Sequence, residues 1–84
     1  MKKAYEYLSK AIALSPNDGY IRDSLGWYYF KVGKVNKALV ELKLAIKNVP
    51  SDISINKHLA IVYTSLKNFS KAKVYIKKAS TEVQ

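Results

Sequence analysis

Cysteine is absent from this 84-residue chain, which excludes disulfides and thiolate chemistry and leaves the redox compartment open. Histidine occurs once, at His58, and the acidic residues are few: Glu6, Asp18, Asp23, Glu41, Asp52 and Glu82. These carboxylates form no paired motif, no metal-ligand spacing is visible, and no glycine-rich loop is present to cradle a phosphate. The expectation is a protein that is not an enzyme and needs no cofactor or metal. Long apolar runs are missing too: no stretch approaches the roughly 18–20 residues of a membrane span. Lys2 and Lys3 are followed by no continuous apolar segment and no small-residue cleavage site, so no signal peptide is read. The compartment stays open, with cytoplasmic as the default.

Arginine is nearly missing as well. Of 15 basic residues against 6 acidic ones only Arg22 is arginine, and the formal net charge is +9. Bidentate recognition of phosphates or bases favours Arg over Lys, so the lysines read first as a solvated surface. The chain is also rich in Ile, Asn and Tyr, a bias that an AT-rich coding sequence produces together with Lys. Electrostatic help in binding an acidic partner is the second reading of the charge, and nucleic-acid binding the third. Hydrophobic residues at 49% beside 25% charged ones argue for a globular chain. The length allows one domain, residues 1–84.

What is present is a repeat. Sliding the chain along itself until Ala4 meets Ala38 gives 16 identities in 50 overlapped pairs. Unrelated residues of ordinary composition would give about three. In this register Ala72 joins Ala4 and Ala38, Leu8 falls with Leu42 and Ile76, and Ala11 with Ala45 and Ala79. Pro16 aligns with Pro50, Asp18 with Asp52, Leu25 with Leu59, and Tyr29 with Tyr63. Gly26 and Ala60 share one register position, where a small residue lets two helix axes approach closely. The larger members of the set then fill the space between layers.

In chain order, residues 2–14 form an amphipathic helix (B1) closed by Pro16. Asn17 or Asp18 caps a second helix, A2, from about Gly19 to Val32, which Gly33 ends in a left-handed conformation. Asn36 is expected to cap B2, which runs to about Asn48 before Pro50. Ser51 and Asp52 repeat the capping signal for A3, from about Ile53 to Leu66. Lys67–Asn68 replaces the glycine turn, so Asn68 is expected at the left-handed position, with Ser70 capping B3 to about Glu82. The chain then divides into a half repeat (1–18) and two full repeats (19–52 and 53–84).

Leu25-Gly26, Tyr29, Ala38, Leu42 and Pro50 match the W-x2-L-G-x2-Y … A-x3-F … P pattern of tetratricopeptide (TPR) repeats, and the chain resembles that family over essentially its whole length. The register shift above equals that family's repeat length of about 34 residues. Arg22 stands where the pattern has Trp, and Leu42 where it has Phe. The resemblance implies an all-α, right-handed solenoid of five antiparallel helices, similar to repeats of bacterial multi-TPR proteins. It also implies a concave groove lined by the A helices. By register the groove residues are Tyr20, Asp23, Ser24, Trp27, Phe30 and Lys31 of A2, with Ser54, Lys57, His58, Ile61, Thr64 and Ser65 of A3. The carboxylate clamp of Lys, Asn and Arg found in some TPR proteins is not matched, since Asp23, Trp27, Ser54, His58 and Ile61 stand at its positions.

Spacing alone puts Tyr20, Asp23/Ser24, Trp27 and Phe30/Lys31 on one face of A2, apart from a core stripe of Ile21, Leu25, Tyr28, Tyr29 and Val32. A helix apolar on two sides has either a partner for its aromatics or a neighbouring helix over them. The expected function is a protein–protein interaction scaffold that binds a peptide or partner subunit, with Trp27 and Phe30 as anchors. The alternative is a piece of a longer array that self-associates through its exposed terminal helices, since B1 lacks an A partner and B3 has no following repeat. Nucleic-acid binding through the lysine surface is the lesser alternative.

Overall fold

Asp18 and Asp52 set where two of the helices begin. The Asp18 carboxylate accepts the backbone N–H groups of Tyr20 at 2.9 Å and Ile21 at 3.2 Å. The Asp52 carboxylate accepts the N–H of Ile55 at 2.9 Å. Each bond satisfies a donor that the first helical turn leaves unpaired. The computed structural model describes the backbone of residues 2–80 and the side chains of residues 3–80. Within them the chain is all-α: α1 (Lys2–Leu14), α2 (Gly19–Lys31), α3 (Val35–Asn48), α4 (Ile53–Ser65) and α5 (Phe69–Ser80). The expected end of the last helix near Glu82 lies outside the described residues.

Two tight turns reverse the chain, one after α2 and one after α4. Gly33 takes φ 83° and Lys67 takes φ 61°. The Gly33 and Lys34 N–H groups reach back to Phe30 and Tyr29, and those of Lys67 and Asn68 to Thr64 and Tyr63. The second turn therefore copies the first one repeat later, hydrogen bond for hydrogen bond. This corrects the expectation for Asn68: the copied register puts Lys67, not Asn68, in the left-handed position. The Asn68 side chain serves the next helix instead, accepting the N–H of Lys71 at 3.3 Å. Ser70, expected as that cap, lies inside the first turn of α5. Asn36 lies inside α3 in the same way, because the helix starts at Val35 with Lys34 at the cap position and no side-chain cap bond.

α2 and α3 run antiparallel, as their contacts show. A Cβ built on Gly19 would meet Val49 and Asn48, whereas one on Gly26 would meet Leu42 at 2.9 Å and the Ala38 carbonyl at 3.2 Å. The Gly19 N–H also donates to the Asn48 side chain at 3.1 Å. α4 and α5 form a second such hairpin, with Tyr63 stacked on Tyr75 at 5.6 Å. α4 seats on the α2–α3 hairpin, and α1 packs against α2. The molecule is accordingly elongated, 36 × 24 × 17 Å.

The core lies under α4. Ala38, Leu42 and Ala45 of α3 meet Ile55, Leu59 and Val62 of α4 in one buried cluster, joined by Tyr63 and by Ala72 of α5. Leu25, Gly26 and Ala60 are buried as well. The ends depart from the expected filling of the layers. Ala4 is exposed, Leu8, Ala11, Tyr29 and Ala79 are half-buried, and Ile76 is 55% exposed. The reason at Ile76 is local: Leu42, at the same register position, is covered by α4, and among the described residues no helix lies over Ile76. Pro16 and Pro50 are exposed, each just beyond a helix end.

Candidate functional site

Two lysine-over-ring contacts recur with the repeat. Lys37 sits 5.7 Å above the Tyr29 ring and Lys71 sits 5.6 Å above Tyr63, so lysine and ring are both copied one repeat later. Lys31 and Lys78 cover Trp27 and Tyr75 at 5.6 and 5.5 Å. Part of the lysine excess is thus held against aromatic faces, where a cation is attracted by the ring.

The residues of the expected groove separate into three groups. The first joins α2 to α4. The His58 ring lies 4.1 Å from Trp27, nearly parallel at 17°, and its Nδ1 is 2.7 Å from the Asp23 carboxylate. A carboxylate only accepts, so Nδ1 carries the proton. Trp27 also stacks on Phe30 at 5.1 Å, with Lys31 over the indole ring. Asp23, Trp27, Phe30 and His58 are all half-buried, with His58 of α4 lying against one face of Trp27.

The second group is Tyr20 and Ser54, which face an open depression of about 530 Å³ at the bend between α3 and α4, together with Pro50, Asp52 and Ile53. Tyr20 is 60% exposed. The third is Lys57, Ile61 and Thr64, which turn toward α5 and line a shallow apolar groove with Ile76. Ser24 and Thr64 direct their hydroxyls to carbonyls one turn back in their own helices, Tyr20 at 3.2 Å and Ala60 at 2.8 Å. Ser65 is exposed at the end of α4.

Sequence reasoning missed the pairing of Asp23 with His58. The period compares equivalent positions, and these two are 35 residues apart, one step off the repeat. It also missed the Tyr5–Tyr28–Tyr29 cluster that fixes α1 on α2, with ring separations of 5.6 and 6.2 Å from Tyr5. Hydrogen bonds to Ser9 and then Tyr29 lower the Tyr5 pKa, whereas burial first, then the bond to Tyr5, raises that of Tyr29.

Among the described residues no three His, Asp or Glu side chains gather as a metal site, and no helix is long and apolar enough to cross a membrane. Neither the known family models nor the curated proteins contain a match to this chain.

Proposed function

We propose that the chain is a TPR-type helical repeat that acts as a non-enzymatic interaction module, binding an extended peptide along the face shared by α2 and α4. The observation that carries this reading is the accessible, aromatic-to-polar strip from Lys31 and Phe30 through Trp27 and His58 to Tyr20 and Ser54. The period supports the family, because capping, turn and lysine-over-ring contacts all recur with it. The stacked Trp27–His58–Asp23 unit makes a rigid floor, and rigid aromatic surfaces bind with little loss of side-chain entropy. Tyr20, at 60% exposure, is the free anchor beside it. The surplus of positive charge favours peptides with acidic residues.

The test is selection from a displayed peptide library, followed by amide chemical-shift mapping of the best binder. Shifts should centre on Tyr20, Trp27, Lys31, Ser54 and His58. Tyr20→Ala should weaken binding roughly thirtyfold, the lower range of a hot-spot loss, without changing the melting temperature. Shifts confined to the lysines of α3 and α5, or affinity unaffected by Tyr20→Ala, would sink the reading.

A further inference from the structure

The groove between α4 and α5 is the register copy of the one that α4 fills between α2 and α3. Two adjoining hollows of about 320 and 340 Å³ share Lys57 and Ile76 and extend to Ile61 on one side and to Ile53 and Ala79 on the other. One repeat earlier, Ile76 and Ala79 correspond to Leu42 and Ala45, both 0% exposed because Ile55, Leu59 and Val62 of α4 lie over them. The protein thus contains a worked example of what such a groove accepts: an amphipathic helix. In the copy the charge is reversed. Asp23, which takes the Nδ1–H of His58 at 2.7 Å, is replaced at the equivalent position by Lys57. Trp27, which stacks on His58, is replaced by Ile61.

We propose that the α4–α5 groove docks an amphipathic helix of another protein, one that presents a carboxylate where α4 presents His58. A second copy of this chain fits poorly. Each copy carries +9, and of the five acidic residues among the described ones Asp18 and Asp52 cap helices, Asp23 and Glu41 are paired with His58 and Arg22, and Glu6 of α1 alone is exposed. The docked helix lays two or three apolar residues on Ile61, Ile76 and Ala79, with its carboxylate against Lys57. Apolar contact gives the affinity, and the lysine selects the sign of the charge. This surface lies on the other side of α4 from the peptide face proposed above and does not depend on it.

The α4 sequence supplies the probe. Fluorescein-labelled peptides of residues 52–66 are made with His58→Glu and with His58→Lys, and their affinities for the full chain are measured by fluorescence anisotropy. The Glu peptide should bind about fivefold more tightly than the Lys peptide, the size of an exposed ion pair gained against a like-charge pair. Lys57→Glu should invert that order. Ile76→Asp, at a site 55% exposed, should abolish binding of both peptides with the helical content of the chain retained, while Tyr20→Ala should leave them unchanged. Chemical shifts should move at Ile61, Ile76 and Ala79. The proposal is overturned by equal affinity for the two peptides, or by no binding of either at millimolar concentration. Shifts at Leu42 and Ala45 would overturn it too, since they mean that the peptide displaces α4. So would a homodimer that Ile76→Asp dissociates.

Discussion

Arg22 and Asn56 stand one repeat apart and make the same contact: each donates to the carbonyl of the proline six residues before it. Arg22 Nε reaches Pro16 O at 2.9 Å, and Asn56 Nδ2 reaches Pro50 O at 3.1 Å. The contexts differ. Arg22 also pairs with Glu41 at 2.7 Å near the surface, whereas Asn56 is fully buried and donates again to Asp52 O at 2.8 Å.

Asn56→Ala should therefore cost more than Arg22→Ala. Losing two part-buried hydrogen bonds made by a fully buried side chain costs about 1–3 kcal/mol. The partly solvated Arg22 bonds contribute about 1 kcal/mol or less. Urea unfolding of the two variants checks the order. The Asn56 Oδ1 atom has no partner, so a substitution that keeps the donor and drops this oxygen would be the one to gain stability.

Gly26→Ala should destabilise the protein by about 1 kcal/mol even though alanine is the better helix former. The added methyl meets Leu42 at 2.9 Å and the Ala38 carbonyl at 3.2 Å. Overpacking costs about 1–3 kcal/mol, and helix propensity returns about 1. The α4–α5 hairpin already has Ala60 at the matching position, so Ala60→Gly should also lower stability, by the propensity loss and a small void. Thermal denaturation of both variants tests the pair.

Lys67→Gly should stabilise the protein by about 0.5–1 kcal/mol. A left-handed backbone costs an L-residue about 1–2 kcal/mol, and glycine gives back part of that through a freer unfolded chain. Asn68→Gly should do the opposite, since it removes the side chain that accepts the Lys71 N–H. Chemical denaturation distinguishes the two neighbours.

Alkaline pH should weaken the fold through Tyr75. Burial, and then the charge of Tyr63, raises its pKa above the ordinary tyrosine value of 10.0. The folded state thus holds this proton to higher pH than the unfolded chain does. Its contribution is complete below about 10 and is lost as pH rises through the folded value. Tyr75→Phe keeps the ring against Tyr63 and should flatten the decline of melting temperature as pH rises above about 10.

The five helices were legible where period, capping and termination agreed: Asp18, Gly33, Asp52 and the two prolines are all signals with a local mechanism. Where the signals competed, the sequence misled. Ser70 and Asn36 are good caps placed inside the first turn, and Asn68 is a good left-handed residue placed beside the one the copied turn requires. The strip on α2 was legible as a face but not as a contact. What lies over Trp27 depends on how one hairpin stacks on the next, and no spacing within α2 encodes that. Ile76 illustrates the reverse case, a core residue by register that is exposed because burial needs a neighbour as well as a pattern.

Support along the chain is uneven. α1 is held by α2, chiefly through the Tyr5–Tyr28–Tyr29 rings, whereas α4 is gripped on both sides, by the α2–α3 hairpin and by α5. Opening is then expected to proceed as an unzipping that starts at α1 and reaches α4 last. Amide protons of α1 should exchange fastest and those of α4 slowest. A force drawn through the N-terminal end would peel off one helix before the stack yields, so the first event in unfolding leaves both candidate binding surfaces intact.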